Sequence, residues 1–224
     1  TPGDVWFLNR PEVGGNHLPD VKAIRPIFVD DALQAFAVSL AHWADIGGAV
    51  PGSYVASATD AWQEGLRIPP IRLFTANGPD REKLNFVLAN VRGANEREGD
   101  ILAQMAATRA AEQKLQQLYI EHGMATIEAA VIALHDRAEA QMRAAIGDLP
   151  RGEYRGEDWL DDDGVEDRRI AVRVRIEIQS DEAVFDFSDS DDAARGPINT
   201  TPFIASAAAF YAMKALAGPD LQPN

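Results

Sequence analysis

Strand-like and helix-like patterns occupy separate blocks of this chain, and their separation constrains the fold most. Residues 4–75 show the short apolar runs of strands and loops, residues 80–147 show helical periodicity, and residues 151–190 return to strand patterns. The run at residues 170–178 alternates between apolar and polar side chains, which is typical of a half-exposed strand. Blocks segregated in this way favour the α+β class. We therefore expect an α+β fold.

The first block predicts a mixed β-sheet region. Residues 5–8 form a strand-like run, and residues 21–29 and 33–40 form two longer ones. The pair Asp30-Asp31 separates the longer runs and predicts a hairpin turn. The second run leads directly into His42, and strand ends that feed loops often carry functional groups.

The middle block predicts a central, long helical hairpin. Asp80 is a candidate N-cap for a helix over residues 81–91. Two longer helices are expected over residues 95–122 and 126–146. The short link at Gly123 predicts that these two helices are antiparallel.

The last block predicts a β-hairpin followed by a helix. Residues 183–187 are the expected partner of the strand at 170–178, and the alanine-rich segment 201–217 is expected to form a buried helix. The chain starts almost directly in a strand-like run and stops without a closing element, so we expect a fragment of a longer polypeptide. Its expected parts are a metal-site β and loop part at 1–79, the helical hairpin at 80–147, and the β-hairpin with its helix at 148–224.

The charge balance argues against some classes of partner. The chain has 35 acidic and 21 basic residues, which gives a net charge of −14. Nucleic acids and anionic membrane surfaces need a basic footprint, so neither is an expected partner. The sequence has no cysteine, which fits a cytoplasmic protein. No apolar run approaches the roughly 18 residues that predict a membrane span.

Two short segments hold the strongest candidates for chemistry. In each, a histidine beside a glycine pair is followed three residues later by an aspartate. Imidazole and carboxylate groups are common metal ligands. One hypothesis is therefore a metal held by His17, Asp20 and His42, with Asp45 as a further ligand or a general base. The alternative is that histidines beside glycine loops only cap backbone groups, and spacing alone does not decide between the two.

Other patterns give weaker or negative predictions. The acidic run at residues 161–167 fails the EF-hand pattern, because Trp159 and Ile170 fall at ligand positions, so we expect a solvated acidic turn. Residues 196–202 either present Asn199 and backbone N–H groups to a ligand or form a plain capped turn. The chain has no Walker A loop, Rossmann glycine pattern or nucleophile elbow.

A larger set of segments, in order along the whole chain, resembles a known family. The segments are GD at 3–4, GGNHLPD at 14–20, HWADIGG at 42–48, PGS at 51–53, EGLRIPP at 64–70, NVR at 90–92, REGDILAQ at 97–104, DDDG at 161–164 and RGPIN at 195–199. They are similar to the hydantoinase B/oxoprolinase family. That family includes B subunits of ATP-dependent N-methylhydantoinases and lactamases, the C-terminal half of 5-oxoprolinase, and subunits of acetone and acetophenone carboxylases.

The resemblance implies a partner and a metal. Family members are longer than this chain and work with a hydantoinase A-like ATPase subunit, which binds ATP and phosphorylates the substrate. The resemblance implies a divalent metal, with zinc or manganese expected, at His17, Asp20 and His42, and a further acidic ligand upstream of Thr1. Many members have a second histidine where this chain has Trp43, and we expect this difference to alter the pocket.

The sequence therefore predicts a B-type subunit of an ATP-dependent cyclic-amide hydrolase within a hetero-oligomer. Asp45 is the candidate general base or a residue that orients the site, and Arg67 and Asn199 are candidates for anion and substrate contacts. Two alternatives stay open. One is a subunit of an ATP-dependent ketone carboxylase acting on acetone or acetophenone, and the other is a non-catalytic assembly domain whose glycine loops are structural.

Overall fold

Two antiparallel sheets organise the protein in a computed structural model that describes residues 1–221. Each sheet belongs to one of two compact units, Thr1–Met124 and Ala125–Asn224. The strand and helix blocks predicted from the sequence are present, and the α+β class is confirmed. The sheet region that was expected to be mixed contains only antiparallel pairings among the described strands.

The first unit is built on a five-stranded sheet in the order β3-β2-β1-β4-β5. Its strands are β1 Val5–Leu8, β2 Asp20–Val29, β3 Ala32–His42, β4 Ile71–Thr75 and β5 Gly78–Pro79. Its helices are α1 Ala61–Glu64, α2 Arg81–Ala89 and α3 Ala94–His122, and a 3-10 turn spans Pro11–Val13. The side chain of Asp80 accepts a hydrogen bond from the backbone N–H of Lys83, so the predicted N-cap of α2 is confirmed.

The β2–β3 hairpin turns at the predicted position. Asp30 and Asp31 have positive φ angles of 49° and 62°, as the central residues of a type I′ turn must have. Aspartate reaches this conformation more readily than most residues do. The pairing ends with Asp20 opposite His42. The hairpin therefore carries two of the predicted metal ligands to its open end.

One face of this sheet packs on α3, and the other is largely exposed. Val21, Ala23 and Ile27 of β2 are buried, as the two-residue period of a strand requires for one covered face. Phe36 and Val38 of β3 lie on the opposite face and are exposed. His42 follows them with the same period, so it projects from the open face.

Gln104 of α3 connects the covered face to the loop that follows β3. Its amide nitrogen donates to the backbone oxygens of Val21 and Ser39 at 2.9 and 3.0 Å. Its amide oxygen accepts from the indole Nε1 of Trp43 at 3.2 Å. Because Gln104 is buried, these bonds satisfy polar groups that water does not reach.

The side chain of Asn9 joins three separate segments. Its amide nitrogen donates to the backbone oxygens of Leu18 and Leu66, both at 2.8 Å, and its amide oxygen accepts from the backbone N–H of Ile68 at 2.7 Å. Asn9 is fully buried. It therefore fixes the end of β1, the turn before β2 and the strand-like segment around Ile68 to one another.

The second unit contains a three-stranded sheet in the order β6-β7-β8. Its elements are α4 Met124–Gly147, β6 Gly152–Leu160, β7 Ile170–Ile178, β8 Ala183–Asp186 and α5 Pro202–Ala217. The pairing of β7 with β8 confirms the predicted hairpin, and β6 adds a third strand. Helices α3 and α4 are separated only by Gly123 and fall largely in different units, so their antiparallel pairing stays a prediction. None of the described helices combines the length and hydropathy needed to cross a bilayer.

Helix α5 differs from its prediction as a buried helix. Met213 is its buried residue, whereas Phe210, Tyr211 and Leu216 are exposed. The core of this unit is small, with Ile146, Ile178 and Met213 at its centre, so it covers only one side of the helix. The alanine content that suggested burial reflects helix propensity instead.

The acidic run at residues 161–167 lies between β6 and β7 and is largely exposed, as predicted, except at Asp163. The carboxylate of Asp163 is buried and accepts hydrogen bonds from the backbone N–H groups of Glu166, Gly196, Val165 and Arg195. The bond from Glu166 and the others lower the pKa of Asp163 to about 2. A Cβ at Gly196 would lie 1.7 Å from the backbone oxygen of Asp163, so only glycine fits there.

We predict that Asn9→Ala lowers the free energy of unfolding by about 3 kcal/mol, because it removes hydrogen bonds to two buried backbone groups and one part-buried backbone group. Urea unfolding followed by circular dichroism measures the change. The matched control is Asn77→Ala, which changes an exposed asparagine of the same unit and should alter stability by less than about 0.5 kcal/mol. Equal stabilities of the two variants would contradict the role of Asn9.

Candidate metal centre

Three predicted ligands meet at the open end of the β2–β3 hairpin. Asp20 is the first residue of β2 and His42 the last of β3, and the two are direct cross-strand partners. His17 lies in the turn that enters β2, where the backbone N–H of Asp20 donates to the His17 oxygen at 3.1 Å. Buried Leu18 fixes this turn to the core. Strand register and one turn therefore bring the three side chains together.

The donor set fits a divalent metal. One ligand atom from each of His17, Asp20 and His42 lies within 4.8 Å of the others. Nε2 of His17 is 3.2 Å from Oδ1 of Asp20, and the two imidazole centroids are 4.9 Å apart. The side chains of His17 and Asp20 are 28% and 14% exposed. Two imidazoles and one carboxylate form a set that suits zinc or manganese and leaves coordination positions open.

Tyr54 is a site residue that sequence reasoning missed. Its hydroxyl lies 2.9 Å from Nε2 of His42, and its ring centroid is 5.9 Å from that of His17. The side chain is largely exposed. Tyr54 can hold the His42 ring in position, and release of this bond would free Nε2 for a metal. Only the folded loop after β3 brings it here, so sequence spacing gave no signal.

Glu64 is a second residue that was missed as part of the site. It ends α1, and burial raises the pKa of its carboxyl group while the charge of nearby His17 acts in the opposite direction. The following residue, Gly65, has a φ of 143°, and a Cβ there would lie 2.7 Å from the backbone oxygen of Ile46. The glycine therefore allows the close approach of the end of α1 to the loop at Ile46, and Glu64 at that end interacts electrostatically with His17.

Lys22 is a third missed residue, and it shares a strand face with Asp20. The two are separated by one residue of β2, so their side chains project in the same direction. The ammonium nitrogen of Lys22 is buried and has no hydrogen-bond partner among the described residues. Burial lowers the pKa of Lys22, and the charge of Asp20 partly opposes that change. The sequence signal that could have identified Lys22 is the alternating pattern of β2, which places residues 20 and 22 on the same face of the strand.

Asp45 organises the loop that follows β3. Its carboxylate accepts from the backbone N–H groups of Gly47, Gly52 and Arg92 at 2.7, 2.9 and 3.2 Å, and from the Arg92 guanidinium at 3.1 Å. Burial acts to raise the pKa of Asp45, but these donors outweigh it, so the pKa lies below its ordinary value. A carboxylate occupied in this way favours an orienting role over that of a general base.

Arg67 and Asn199 have defined partners in the structure. The guanidinium of Arg67 is hydrogen-bonded to the carboxylate of Glu12 and lies 4.8 Å over the ring of Trp62. The amide of Asn199 bonds to the backbone of Ala194 and lies in the second unit. Within the described part of the chain, the Arg67 side chain forms no hydrogen bond or ion pair with the three ligand residues. The roles of Arg67 and Asn199 in binding stay predictions.

Trp43 does not face the candidate centre. It follows His42, and successive side chains of an extended segment point to opposite sides. Its ring is buried in the core of the first unit, and its indole nitrogen bonds to Gln104. Because the residue contacts the core and α3, it lies outside the first contacts of the candidate centre, and the expectation that this difference alters the pocket stays a prediction.

Comparisons with known proteins support one family. The Hydantoinase B/oxoprolinase family model matches residues 1–224. The beta subunit of caprolactamase from Pseudomonas jessenii is 35% identical over 181 residues, which is 81% of this chain and 31% of that protein. A putative D-/L-hydantoinase B subunit from Pseudomonas sp. (strain NS671) is 36% identical over 78% of this chain and 31% of its own length. The chain thus spans about a third of each relative.

Solved structures show the same fold. The crystal structure of ATP-dependent caprolactamase from Pseudomonas jessenii matches 100% of this chain and 38% of that chain, with a TM-score of 0.89 and 30% identity. A nucleotide-free acetone carboxylase structure matches 97% of this chain and 30% of that chain, with a TM-score of 0.89 and 17% identity. At the lower identity the likeness shows the fold alone.

We predict that Asp45→Asn lowers the free energy of unfolding at neutral pH by about 2 kcal/mol, because an amide replaces a buried acceptor of four hydrogen bonds. The folded-state pKa is lowered, so the carboxylate stabilises the fold above the ordinary value of 3.8. That contribution is lost as the pH falls from 3.8 through the lower folded value.

Urea unfolding at several pH values measures both effects. The variant should lack the part of the acid sensitivity that Asp45 supplies. Asp136→Asn, at an exposed position of α4, is the matched control and should behave as the parent does. An Asp45→Asn variant with parental stability at neutral pH would contradict the proposed role in the loop.

Proposed function

The chain belongs to the hydantoinase B/oxoprolinase family, and from this membership we propose that it is the B-type component of an ATP-dependent enzyme that opens cyclic amides. The observation that carries the proposal is the convergence of His17, Asp20 and His42 at one end of the sheet. A shared fold alone would not indicate chemistry, whereas two imidazoles and a carboxylate in reach of one ion do.

The proposed site residues hold and orient the reacting groups. His17, Asp20 and His42 would bind a divalent zinc or manganese ion, which when bound supplies Lewis-acid polarisation of a carbonyl oxygen or activation of water. Asp45 keeps the loop after His42 in place through its backbone donors. Half-buried Glu64 interacts electrostatically with His17, and we propose it as the group that accepts a proton from a water molecule in the site.

Two further residues are proposed for substrate contacts. Arg67 is a cation on the EGLRIPP segment that also contains Glu64, and exchange of its Glu12 partner for a substrate anion would bring it into binding. Asn199 would act through its amide at the loop before α5, where it now holds the Ala194 backbone.

The proposed enzyme is a hetero-oligomer. Both relatives in the sequence comparison are named as enzyme subunits, and the solved caprolactamase is named ATP-dependent. The sequence of this chain has no Walker A loop. In line with the family resemblance, we place ATP on a hydantoinase A-like ATPase partner, which would phosphorylate the substrate.

Cyclic amides are the favoured substrate class. Caprolactam and hydantoins are both cyclic amides, and the relatives named for them are 35% and 36% identical to this chain. Ketone carboxylation is the second candidate, because the family that the sequence resembles includes ketone carboxylase subunits; the fold shared with acetone carboxylase at 17% identity is compatible with this candidate but does not indicate the chemistry. The third candidate, a non-catalytic assembly domain, requires that the three ligand residues have no role in activity.

We predict that the purified chain binds about one equivalent of zinc or manganese and that His17→Ala lowers the metal content at least tenfold, because a three-ligand site loses a donor. Elemental analysis after dialysis against each metal measures the content. His135→Ala changes an exposed histidine on α4 and should keep the parental metal content. Equal metal loss in both variants, or none in either, would contradict the site.

The reaction class is tested on the native complex isolated through this chain. We expect ATP hydrolysis to be stimulated by lactams or hydantoins, and the His17→Ala complex to lose at least a hundredfold in kcat while its components remain associated. Stimulation by ketones with bicarbonate instead would favour a carboxylase. Unchanged activity after the substitution would favour the assembly domain.

A further inference from the structure

Lys22 occupies a position on the open sheet face beside the candidate metal centre. It follows Asp20 on the same face of β2, about 7 Å further along the strand. Its cross-strand neighbours are Leu40 of β3 and Leu8 of β1. Leu40 in turn precedes His42 on the same face. The ammonium group therefore projects from the face that presents Asp20 and His42.

The burial of this ammonium group needs an explanation. A lysine on an apolar surface ordinarily lays its methylene groups along that surface and extends its charged end into water. The nitrogen of Lys22 is instead buried and has no hydrogen-bond partner among residues 1–221. It also lies farther than a salt-bridge distance from Asp20. A buried ammonium without partners costs folding free energy. A contribution to stability therefore does not explain why a lysine occupies this position.

Two other cations of the first unit have carboxylate partners, although Nε of Arg67 is itself buried without a hydrogen-bond partner among the described residues. Arg67 bonds to Glu12, and Arg92 bonds to Asp45. Lys83, farther along the chain, is 2.7 Å from a carboxylate oxygen of Asp80. Lys22 thus combines a place beside the ligand residues with hydrogen-bond donors that remain available. The chain as a whole carries a charge of −14, so an anion would need such a local cation to bind.

We infer that Lys22 binds an anionic oxygen of the ligand that occupies the site formed with His17, Asp20 and His42. This inference deepens the proposed function and rests on it for the identity of the ligand. A phosphoryl group transferred by an ATPase partner is one source of such an oxygen, and a carboxylate released by ring opening is the other. Both offer acceptors for the three N–H donors of an ammonium group.

The test compares anion binding by the parent chain and by Lys22→Met, which keeps the length of the side chain and removes its charge. Orthophosphate and acetate are titrated separately, and binding is followed by phosphorus line width and by acetate proton line width in NMR. We expect Lys22→Met to bind the anion at least roughly tenfold more weakly. Lys22→Arg should retain most of the affinity, because it keeps a cation at the position.

Two controls separate a binding role from a structural one. Lys83→Met removes an exposed lysine of the same unit and should keep the parental affinity. Urea unfolding should show Lys22→Met to be at least as stable as the parent, because a buried charge without a partner is replaced by an apolar side chain. A large loss of stability in Lys22→Met, without loss of anion binding in the folded protein, would overturn the inference.

Manganese binding, followed by electron paramagnetic resonance, is measured on the same samples. Anion binding that depends on Lys22 supports the inference even where manganese does not bind, and in that case only the proposed metal function fails. Two results would overturn the inference and leave the metal site standing. One is manganese binding together with parental anion affinity in Lys22→Met. The other is manganese binding without binding of either anion to the parent chain. Dependence on Lys22 for acetate alone identifies the carboxylate as the source.

Discussion

The register of the β2–β3 hairpin determines which side chains reach the candidate metal centre. A shift between Ile27 and Phe28 places one additional residue in β3, and from there the pairing continues to Asp20 opposite His42. Without that shift Asp20 would pair with Ala41. A displacement by one residue also exchanges the two faces of a strand, so His42 would turn toward α3. The tight turn at Asp30-Asp31 and the shift together place two ligands and Lys22 on one face.

Buried polar side chains hold the loops that complete the site. Asn9 fixes the turn that contains His17, Gln104 holds Trp43 just after β3, and Asp45 binds the loop that returns toward Tyr54. Each of them satisfies backbone or ring donors in places that water does not reach. Such bonds specify one arrangement more strongly than apolar packing does, because a slipped loop would leave several of these groups unpaired. The ligand residues are therefore positioned by hydrogen bonds made several residues away from them.

Local sequence patterns predicted the elements well, and long-range contacts explain the differences. The Asp30-Asp31 turn, the Asp80 cap and the strand at residues 170–178 depend on neighbours in sequence, and the structure shows all three. The approach of His17 to His42 was predicted only as a hypothesis, because it depends on strand pairing. Tyr54 lies beside both histidines and Glu64 lies near His17, and the path of the chain after β3 that brings them there follows no periodic pattern. Burial of Asp163 likewise depends on a distant glycine, Gly196, whose close approach leaves no trace in local composition.

The strand geometry that presents His42 at the candidate metal centre also directs the side chain of residue 43 away from it. The resemblance to the family implies that many members carry a second histidine where this chain has Trp43. In this backbone the side chain at that position enters the core, and its ring nitrogen bonds to Gln104. A histidine there could take over the bond to Gln104, but it would face away from His17 and Asp20. Because adjacent residues of an extended segment point in opposite directions, His42 and its successor serve different partners. We therefore expect the difference at Trp43 to act on the support of the strand end that carries His42, and through it on the position of the imidazole.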